Sequence, residues 1–312
     1  AGDLYLPAGD QKHPAVVFFM GVVPPDRDES RVVALGEGLA RTGMIVMIPW
    51  LRTQDEQRIV TSDISDLVDS FVYLESHPRT KKSRIGMGGI CTGAAMAVVA
   101  AQDPLISQRV SFINSFAGYF DAFNLIASVV SETAFYEDTT RFWQPNHFTR
   151  EITVSHLIDG SYPKDRLILN EVTAQGHWTA KNYDSLSDSG RVVLSLISGP
   201  SLNDAMSSLS YLNSNTINFL EQISPSTNIS NLRADVFLMH DRQDKMVPSE
   251  ESRRFSQAAK RNGNRVHLTE FSSFQNVVQV HKNDSEKLSS TGYIKQSWKL
   301  FMHMYYIMRL AD

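Results

Sequence analysis

The sequence of 312 residues predicts an α/β protein, namely a doubly wound, mostly parallel sheet with a mostly helical cap insertion. Short apolar runs rich in β-branched and aromatic residues recur along the chain, as in strands that are buried on both faces. Segments with helical spacing separate these runs, and such alternation is typical of a parallel sheet. The alternation stops between residues 122 and 230 and then resumes, which indicates an insertion.

The first part of the predicted sheet covers residues 1–121. Its strands are apolar throughout, and its helices carry apolar residues every three or four positions, such as Leu67, Phe71 and Leu74. In order, the elements are a strand at 14–20, a helix at 30–42, a strand at 44–50, a helix at 61–76 and strands at 84–90 and 109–116. The first strand, helix and following strand form a βαβ unit.

The predicted insertion, residues 122–230, is rich in aromatic residues, Ser and Asn. Helical stretches are expected at 123–135 and 190–197. An insertion at this point of the chain would cap a site at the carboxyl ends of the strands. Its aromatic residues Phe142, Trp143 and Trp178 are candidates to line an apolar pocket, and the alternative is that they form the insertion's own small core.

The sheet resumes over residues 231–312, with strands predicted at 234–240 and 265–271 and a helix at 249–261 between them. The last predicted helix, at 293–310, is apolar on more than one face. Packing against the sheet is the favoured explanation, because a helix that is apolar most of the way round is usually buried. A role in a homodimer or at a membrane surface is the alternative.

Composition excludes several classes of function. A net charge of -4 disfavours nucleic acid as a partner, and the single cysteine excludes an intrachain disulfide and a thiolate-rich metal site. No cluster of His, Asp or Glu has metal-ligand spacing, so we expect no metal. The glycines at 86, 88 and 89 have the wrong spacing for a dinucleotide-binding fingerprint, so we expect no cofactor. No apolar run reaches the roughly 18 residues that a membrane span needs. We expect a soluble protein, with the cytoplasm slightly favoured.

The stretch Gly89-Ile90-Cys91-Thr92-Gly93 stands between a strand and a run of small, helix-forming residues. Glycines two positions either side of a central residue allow the sharp strand-to-helix turn that exposes a nucleophile at the top of a sheet. Cys91 is therefore a candidate nucleophile. A lone cysteine in an apolar stretch is also often a small buried hydrophobe, and this alternative stays open.

The chain resembles the α/β-hydrolase superfamily in two stretches. One is this elbow, and the other is the strand that ends at His240 together with the segment after it, which contains Asp244 and Val247-Pro248. Within this superfamily, the chain is most similar to dienelactone-hydrolase-type members, whose elbow reads Gly-x-Cys-x-Gly. The resemblance covers the sheet segments and leaves the insertion unassigned. It implies that Asp244 is the catalytic acid and that the backbone N–H groups of Val22 and Thr92 hold the oxyanion. Asp121 is a second candidate acid, because it follows a strand adjacent to the elbow strand, and the alternative is that it caps the helix that starts the insertion.

The resemblance is weakest at the catalytic base. The family commonly has an aromatic residue, one residue and then His-Val after the last strand, whereas this sequence reads Phe274-Gln275-Asn276-Val277. The next histidine is His281. Asparagine cannot act as a general base, so either His281 serves the site or the triad is broken.

Two functions follow from these residues. The first is hydrolysis of an ester, thioester or lactone by Cys91, His281 and Asp244, through an acyl-thioester, with a small apolar acyl compound as substrate. The second is a catalytically impaired protein of the same fold that binds a ligand, motivated by Asn276.

Overall fold

The computed structural model describes residues 1–22, 27–272 and 289–311. Two compact units divide the chain. The first contains residues 1–120 and 224–312, and the second contains residues 121–223.

The first unit is built on a seven-stranded sheet, mostly parallel as the sequence predicts. The strands are β1 (Gly2–Tyr5), β2 (His13–Phe19), β3 (Ile45–Pro49), β4 (Thr80–Ile90), β5 (Phe112–Phe116), β8 (Asp235–Asp241) and β9 (Val266–Phe271). They lie in the order β1-β3-β2-β4-β5-β8-β9, and among the described pairs of this sheet only β1 runs antiparallel to its neighbour.

Helices cover both faces of this sheet. They are α1 (Ser30–Arg41), α2 (Arg52–Asp55), α3 (Ser62–Ser76), α4 (Thr92–Ala101), α12 (Glu250–Arg261) and α13 (Ser290–Ala311), with a 3₁₀ turn at Ile229–Asn231. Residues of α3, α4 and α12 share one apolar cluster with one face of the sheet. Residues of α1 and α13 share a second cluster with the other face.

Burial of both faces explains why residues 15–19 of β2 are all apolar and do not alternate with polar residues. Ala15, Val17 and Phe19 belong to the cluster on one face, whereas Val16 and Phe18 belong to the cluster on the other. Successive side chains of a strand point to opposite faces, so a strand covered on both sides needs an apolar residue at every position. The uninterrupted apolar run in the sequence is therefore a consequence of two buried faces.

The second unit is mostly helical. Its helices are α5 (Ala122–Ser131), α6 (His147–Asp159), α7 (Pro163–Gln175), α8 (Ala180–Ser185), α9 (Asp188–Ile197), α10 (Leu202–Leu209) and α11 (Ser214–Gln222). A two-stranded antiparallel hairpin, β6 (Thr133–Tyr136) and β7 (Thr139–Phe142), follows α5. The expectation of one helix over 123–135 is wrong at its end, because Glu132 adopts the left-handed conformation and the hairpin begins at Thr133.

The abundance of Ser and Asn in this unit has a structural reason. Six of its seven helices begin at a residue whose side-chain oxygen accepts a hydrogen bond from a backbone N–H of the first turn, and the capping residues are Asp121, Asn146, Thr179, Ser187, Ser201 and Asn213. Such caps satisfy N–H groups that have no partner within the helix, and each is worth about 1 kcal/mol. The remaining helix, α7, begins with Pro163, which has no N–H to satisfy.

Candidate active site

Cys91 lies at the turn between β4 and α4 and has a backbone φ of 53° and ψ of -126°. A positive φ is unusual for a residue with a side chain and is found at strained turns that serve a function. The backbone N–H of Cys91 donates to the Phe116 carbonyl at 2.8 Å, and its own carbonyl accepts from the Ala94 N–H in the first turn of α4. The strained turn is thus held by the neighbouring strand and by the helix that it starts.

The two glycines of the elbow are required by close packing. A Cβ atom built on Gly89 or on Gly93 would lie closer than 3.0 Å to the backbone carbonyl oxygen of Phe19, at the end of β2. A Cβ atom on Gly21 would lie 2.6 Å from the Gly93 nitrogen. The elbow therefore packs backbone to backbone against the end of β2.

This packing brings together the two segments that carry the predicted oxyanion donors. Val22 follows Gly21 and is buried, and Thr92 precedes Gly93 at the start of α4. The Thr92 hydroxyl lies 3.8 Å from the Cys91 sulfur. The positions of the Val22 and Thr92 backbone N–H groups depend on the chain path, so any residue type except proline at these positions supplies the donor.

The thiol of Cys91 is held in its protonated form. Burial, and then the negative charge of Asp244, raise the pKa of this thiol to about 11, and hydrogen bonding to Thr92 opposes them. An ordinary cysteine has a pKa of about 8.5, so at neutral pH the thiolate is much rarer here than in a free cysteine. The described surroundings alone do not activate the nucleophile.

Asp244 lies in the loop after β8 and is buried. One of its carboxylate oxygens accepts hydrogen bonds from the backbone N–H groups of Met246 and Val247, at 2.6 and 3.1 Å. Burial raises the pKa of Asp244, while nearby His240 and these two N–H donors lower it in part. The negative charge of Asp244 also raises the pKa of the Cys91 thiol, although β5 separates β4 from β8 in the sheet.

His240 supports the acid-bearing loop from within β8. It is fully buried, and its Nε2 lies 2.9 Å from the Val247 carbonyl oxygen, while its Nδ1 lies 2.7 Å from the Ser252 hydroxyl. A carbonyl only accepts, so Nε2 carries a proton and donates to the Val247 carbonyl oxygen. The sequence placed His240 at the end of a strand, but Ser252, which comes from α12, gave no signal in the sequence.

Asp121, the second candidate acid, has a structural role at the start of the second unit. Its carboxylate accepts from the backbone N–H groups of Phe123 and Asn124, at 2.9 and 3.1 Å, as the N-cap of α5. The predicted base, His281, and Asn276 both lie outside the described residues.

The three aromatic residues considered for a pocket differ in their surroundings. Trp143 is buried and packs with Val129 and Ala134 in the second unit's own core. Phe142, one residue earlier in the hairpin, is exposed, and so is Trp178. Of the three, Trp143 fits the alternative of a small core within the insertion.

Within the ranges that the structure describes, no group of three or more His, Cys, Asp or Glu side chains is arranged to hold a metal ion. Across the same ranges, none of the helices is both long enough and apolar enough to traverse a lipid bilayer.

No protein-family model matches the sequence, and no curated protein is similar enough to count as a relative. Solved structures are similar in fold. Esterase 2 of Thermogutta terrifontis, phosphonylated by sarin, aligns with a TM-score of 0.54 and 15% identity over 99% of this chain and 89% of its own. The same esterase with propionate bound has a TM-score of 0.53, with 14% identity over 99% of this chain and 89% of that one.

An acylaminoacyl peptidase of Pyrococcus horikoshii aligns with a TM-score of 0.54 and 14% identity, over 100% of this chain but only 40% of the peptidase. These structures and the mostly parallel seven-stranded sheet show that the chain has the α/β-hydrolase fold, which confirms the predicted fold class. Identities this low establish the fold alone.

Proposed function

We propose that the protein hydrolyses an ester, thioester or lactone, with Cys91 as nucleophile, Asp244 as orienting acid and His281 as base. The observation that carries the proposal is the position of Cys91, at φ 53° on a strand-to-helix elbow and within electrostatic reach of Asp244. Esterases and an acylaminoacyl peptidase share the fold and support a hydrolase. The Gly-x-Cys-x-Gly elbow favours the dienelactone-hydrolase type among them.

The raised thiol pKa makes a base necessary. With a pKa of about 11, Cys91 is almost entirely protonated at neutral pH, so a group must remove its proton as it attacks. In the proposed reaction the imidazole of His281 takes this proton, and Asp244 offsets the charge of the imidazolium. Sulfur then adds to the substrate carbonyl carbon, and the N–H groups of Val22 and Thr92 hold the oxyanion.

The tetrahedral intermediate collapses by breaking the bond to the leaving group, which takes the proton back from the imidazolium. The product of this half-reaction is an acyl-thioester on Cys91 and a free alcohol or thiol. Water then attacks the thioester carbonyl while His281 takes a proton from it. Breaking the carbon–sulfur bond returns the proton to sulfur and releases the carboxylic acid.

The second candidate is a ligand-binding protein of the same fold that has lost turnover. Two observations favour it: Asn276 stands where the family's histidine would fall, and the charge of Asp244 disfavours a thiolate at Cys91. Without a base, the same geometry leaves a protonated thiol that reacts slowly or not at all.

Intact-mass measurement on protein incubated with a chromogenic short-chain ester or thioester separates these functions. The variants are Cys91→Ala, His281→Ala and, as a control, His177→Ala, which changes an exposed histidine of the second unit. Because Cys91 is the only cysteine, loss of the adduct in Cys91→Ala locates it without peptide mapping.

If the proposed triad is correct, we expect the wild type and His177→Ala to turn over the substrate and Cys91→Ala and His281→Ala to have lost turnover. An adduct that persists in the wild type and is unaffected by His281→Ala would instead favour the impaired protein. Turnover that survives Cys91→Ala would overturn the nucleophile.

A further inference from the structure

The last helix, α13, presents two different faces. Gln296, His303 and Ile307 are buried against the sheet. The opposite face carries Ile294, Trp298, Phe301 and Tyr305, which are 67%, 62%, 57% and 45% exposed. These four residues, called the outer stripe below, are spaced by four, three and four positions, so they lie in one line along the helix.

The rings of the outer stripe stack on one another. The centroids of Trp298 and Phe301 are 5.5 Å apart, and those of Phe301 and Tyr305 are 6.3 Å apart. The line runs for about 16 Å at the rise of an α-helix. Scattered exposed apolar residues are normal, but a continuous patch of large ones marks an interaction surface.

Charge indicates what this surface meets. The sequence of α13 contains Lys295, Lys299 and Arg309 and no Asp or Glu. Lys295 and Arg309 are exposed, and at 100° per residue both project along one edge of the outer stripe, near its two ends. The side of the helix that faces away from the sheet is therefore aromatic and cationic.

The remaining cation of the helix is turned inward. The Lys299 ammonium donates to the Glu270 carbonyl oxygen at 2.7 Å. Burial lowers the pKa of Lys299, and the positive charges of Arg242 and Lys295 lower it further, against the opposing effect of Glu270. Glu270 itself is bound by Arg242 and Arg253. Arg242, Arg253 and Lys299 thus surround Glu270 beside α13.

We propose that the outer stripe of α13 binds the surface of an anionic lipid bilayer, with the helix lying in the plane of the headgroups. Trp and Tyr favour this interface because one part of the ring is apolar and another is polar. Lys and Arg beside such a face add attraction to anionic lipids. The proposal concerns adsorption to a surface, and it does not rest on the proposed hydrolysis.

A second copy of the chain fits this face less well. In an antiparallel pair of outer stripes the two cationic edges face each other, which brings Lys295 and Arg309 of both helices to one side of the pair. In a parallel pair each cationic edge faces the uncharged edge of the other helix, and the helix supplies no carboxylate as a partner there. An anionic surface supplies the opposite charge at every position along the stripe.

Co-sedimentation of the whole chain with large unilamellar vesicles tests the proposal. One set of vesicles is phosphatidylcholine alone, and the other contains a substantial fraction of phosphatidylserine. We expect the wild type to bind the anionic vesicles at least about tenfold more tightly than the neutral ones, and to lose this binding in raised salt. Trp298→Ser combined with Phe301→Ser is expected to weaken the binding at least about tenfold.

Two further variants separate the contributions. Lys295→Glu reverses a charge beside the stripe and is expected to weaken anionic binding about tenfold while preserving the aromatic face. Leu167→Ser combined with Tyr211→Ser is the matched control, since both residues are large, apolar and exposed in the second unit, and it is expected to bind as the wild type does. Circular dichroism confirms that each variant keeps its helical content.

Failure of the wild type to bind anionic vesicles would overturn the proposal. Equal binding to both kinds of vesicle, or equal loss in the control variant, would also overturn it, because the effect would then not be specific to charge or to α13. A wild-type dimer in analytical ultracentrifugation that dissociates in the Trp298→Ser, Phe301→Ser variant, without vesicle binding, would assign the face to a second copy instead.

Discussion

The carboxylate of Asp244 lies close enough to Cys91 for its negative charge to raise the pKa of the thiol, in addition to the larger effect of burial. The two residues are 153 positions apart in sequence and follow β8 and β4, which are not neighbours in the sheet. A carboxylate beside a thiol opposes thiolate formation. In the proposed reaction, the negative charge of this carboxylate stabilises the imidazolium that forms when the base takes the thiol proton.

The first prediction concerns this charge. Asp244→Asn keeps an oxygen that can accept from the Met246 and Val247 N–H groups, but it removes the negative charge. We expect the pKa of the Cys91 thiol to fall below its wild-type value of about 11, while hydrolytic activity decreases because the base is no longer oriented. The rate at which iodoacetamide alkylates the protein, followed against pH by intact mass, reports on the Cys91 thiolate, because Cys91 is the only cysteine.

Asp121→Asn is the matched control for that titration. Asparagine is an equally good N-cap, so α5 is expected to remain intact. The thiol pKa should stay at the wild-type value. A fall in Asp121→Asn with none in Asp244→Asn would exchange the roles of the two acids.

The second prediction concerns the elbow glycines. Gly93→Ala places a Cβ atom against the Phe19 carbonyl oxygen, a backbone atom that cannot move aside without shifting β2. We expect the free energy of unfolding to fall by about 2–3 kcal/mol, measured by urea denaturation. Gly38→Ala is the control, since Gly38 lies in α1 with no atom within 4 Å of the new Cβ, and it should raise stability by about 0.5–1 kcal/mol. Equal stability of both variants with the wild type would show that the elbow does not pack this tightly.

The third prediction concerns acid stability and His303, which is fully buried between α13 and the sheet. Its Nδ1 lies 2.9 Å from the Thr269 hydroxyl, and its Nε2 lies 3.4 Å from Asn114 Oδ1. Burial, and then the neighbouring His267, lower the pKa of His303 to about 3. In the unfolded chain a histidine has a pKa of about 6.5, so below that pH the unfolded state binds a proton that the folded state does not.

Stability is therefore expected to fall as the pH decreases from about 6.5 toward 3. The loss attributable to His303 is about 2 kcal/mol at pH 5 relative to pH 7. Urea denaturation of the wild type and of His303→Gln at both values measures it, as the difference between their pH dependences. His177→Asn, at an exposed position, should keep the wild-type dependence. An unchanged dependence in His303→Gln would show that the pKa of this histidine is the same in the folded and unfolded states.

The fourth prediction concerns a buried ion pair. Glu251 in α12 is fully buried, and its carboxylate pairs with Arg254 and accepts from the Phe120 N–H at 2.9 Å, at the boundary of the first unit. Glu251→Gln removes a buried negative charge from beside Arg254, so we expect a loss of about 3 kcal/mol in urea denaturation. Glu37→Gln breaks the exposed pair with Arg41 and should cost less than about 0.5 kcal/mol. Similar costs for the two variants would show that the Glu251 pair is not isolated from water.

The elements of the sheet could be predicted from the sequence because their causes are local. A strand covered on both faces must be apolar at every position, which makes β2 and β3 recognisable as runs. Gly89 and Gly93 mark the elbow because a turn and a close approach exclude side chains there. The hairpin after α5 was missed, since Thr133 to Phe135 fit either a helix or a strand until pairing with β7 decides.

The sequence by itself determined the buried strands of the sheet, the strand-to-helix turn at Cys91 and the presence of a helical insertion. Only the tertiary structure decided that the charge of Asp244 reaches the thiol, that Ser252 of α12 fixes His240, and which face of α13 is covered. The physical reason is that backbone periodicity depends on neighbours along the chain. The pKa of a group and the covering of a helix face instead depend on residues that the fold brings from far away in sequence.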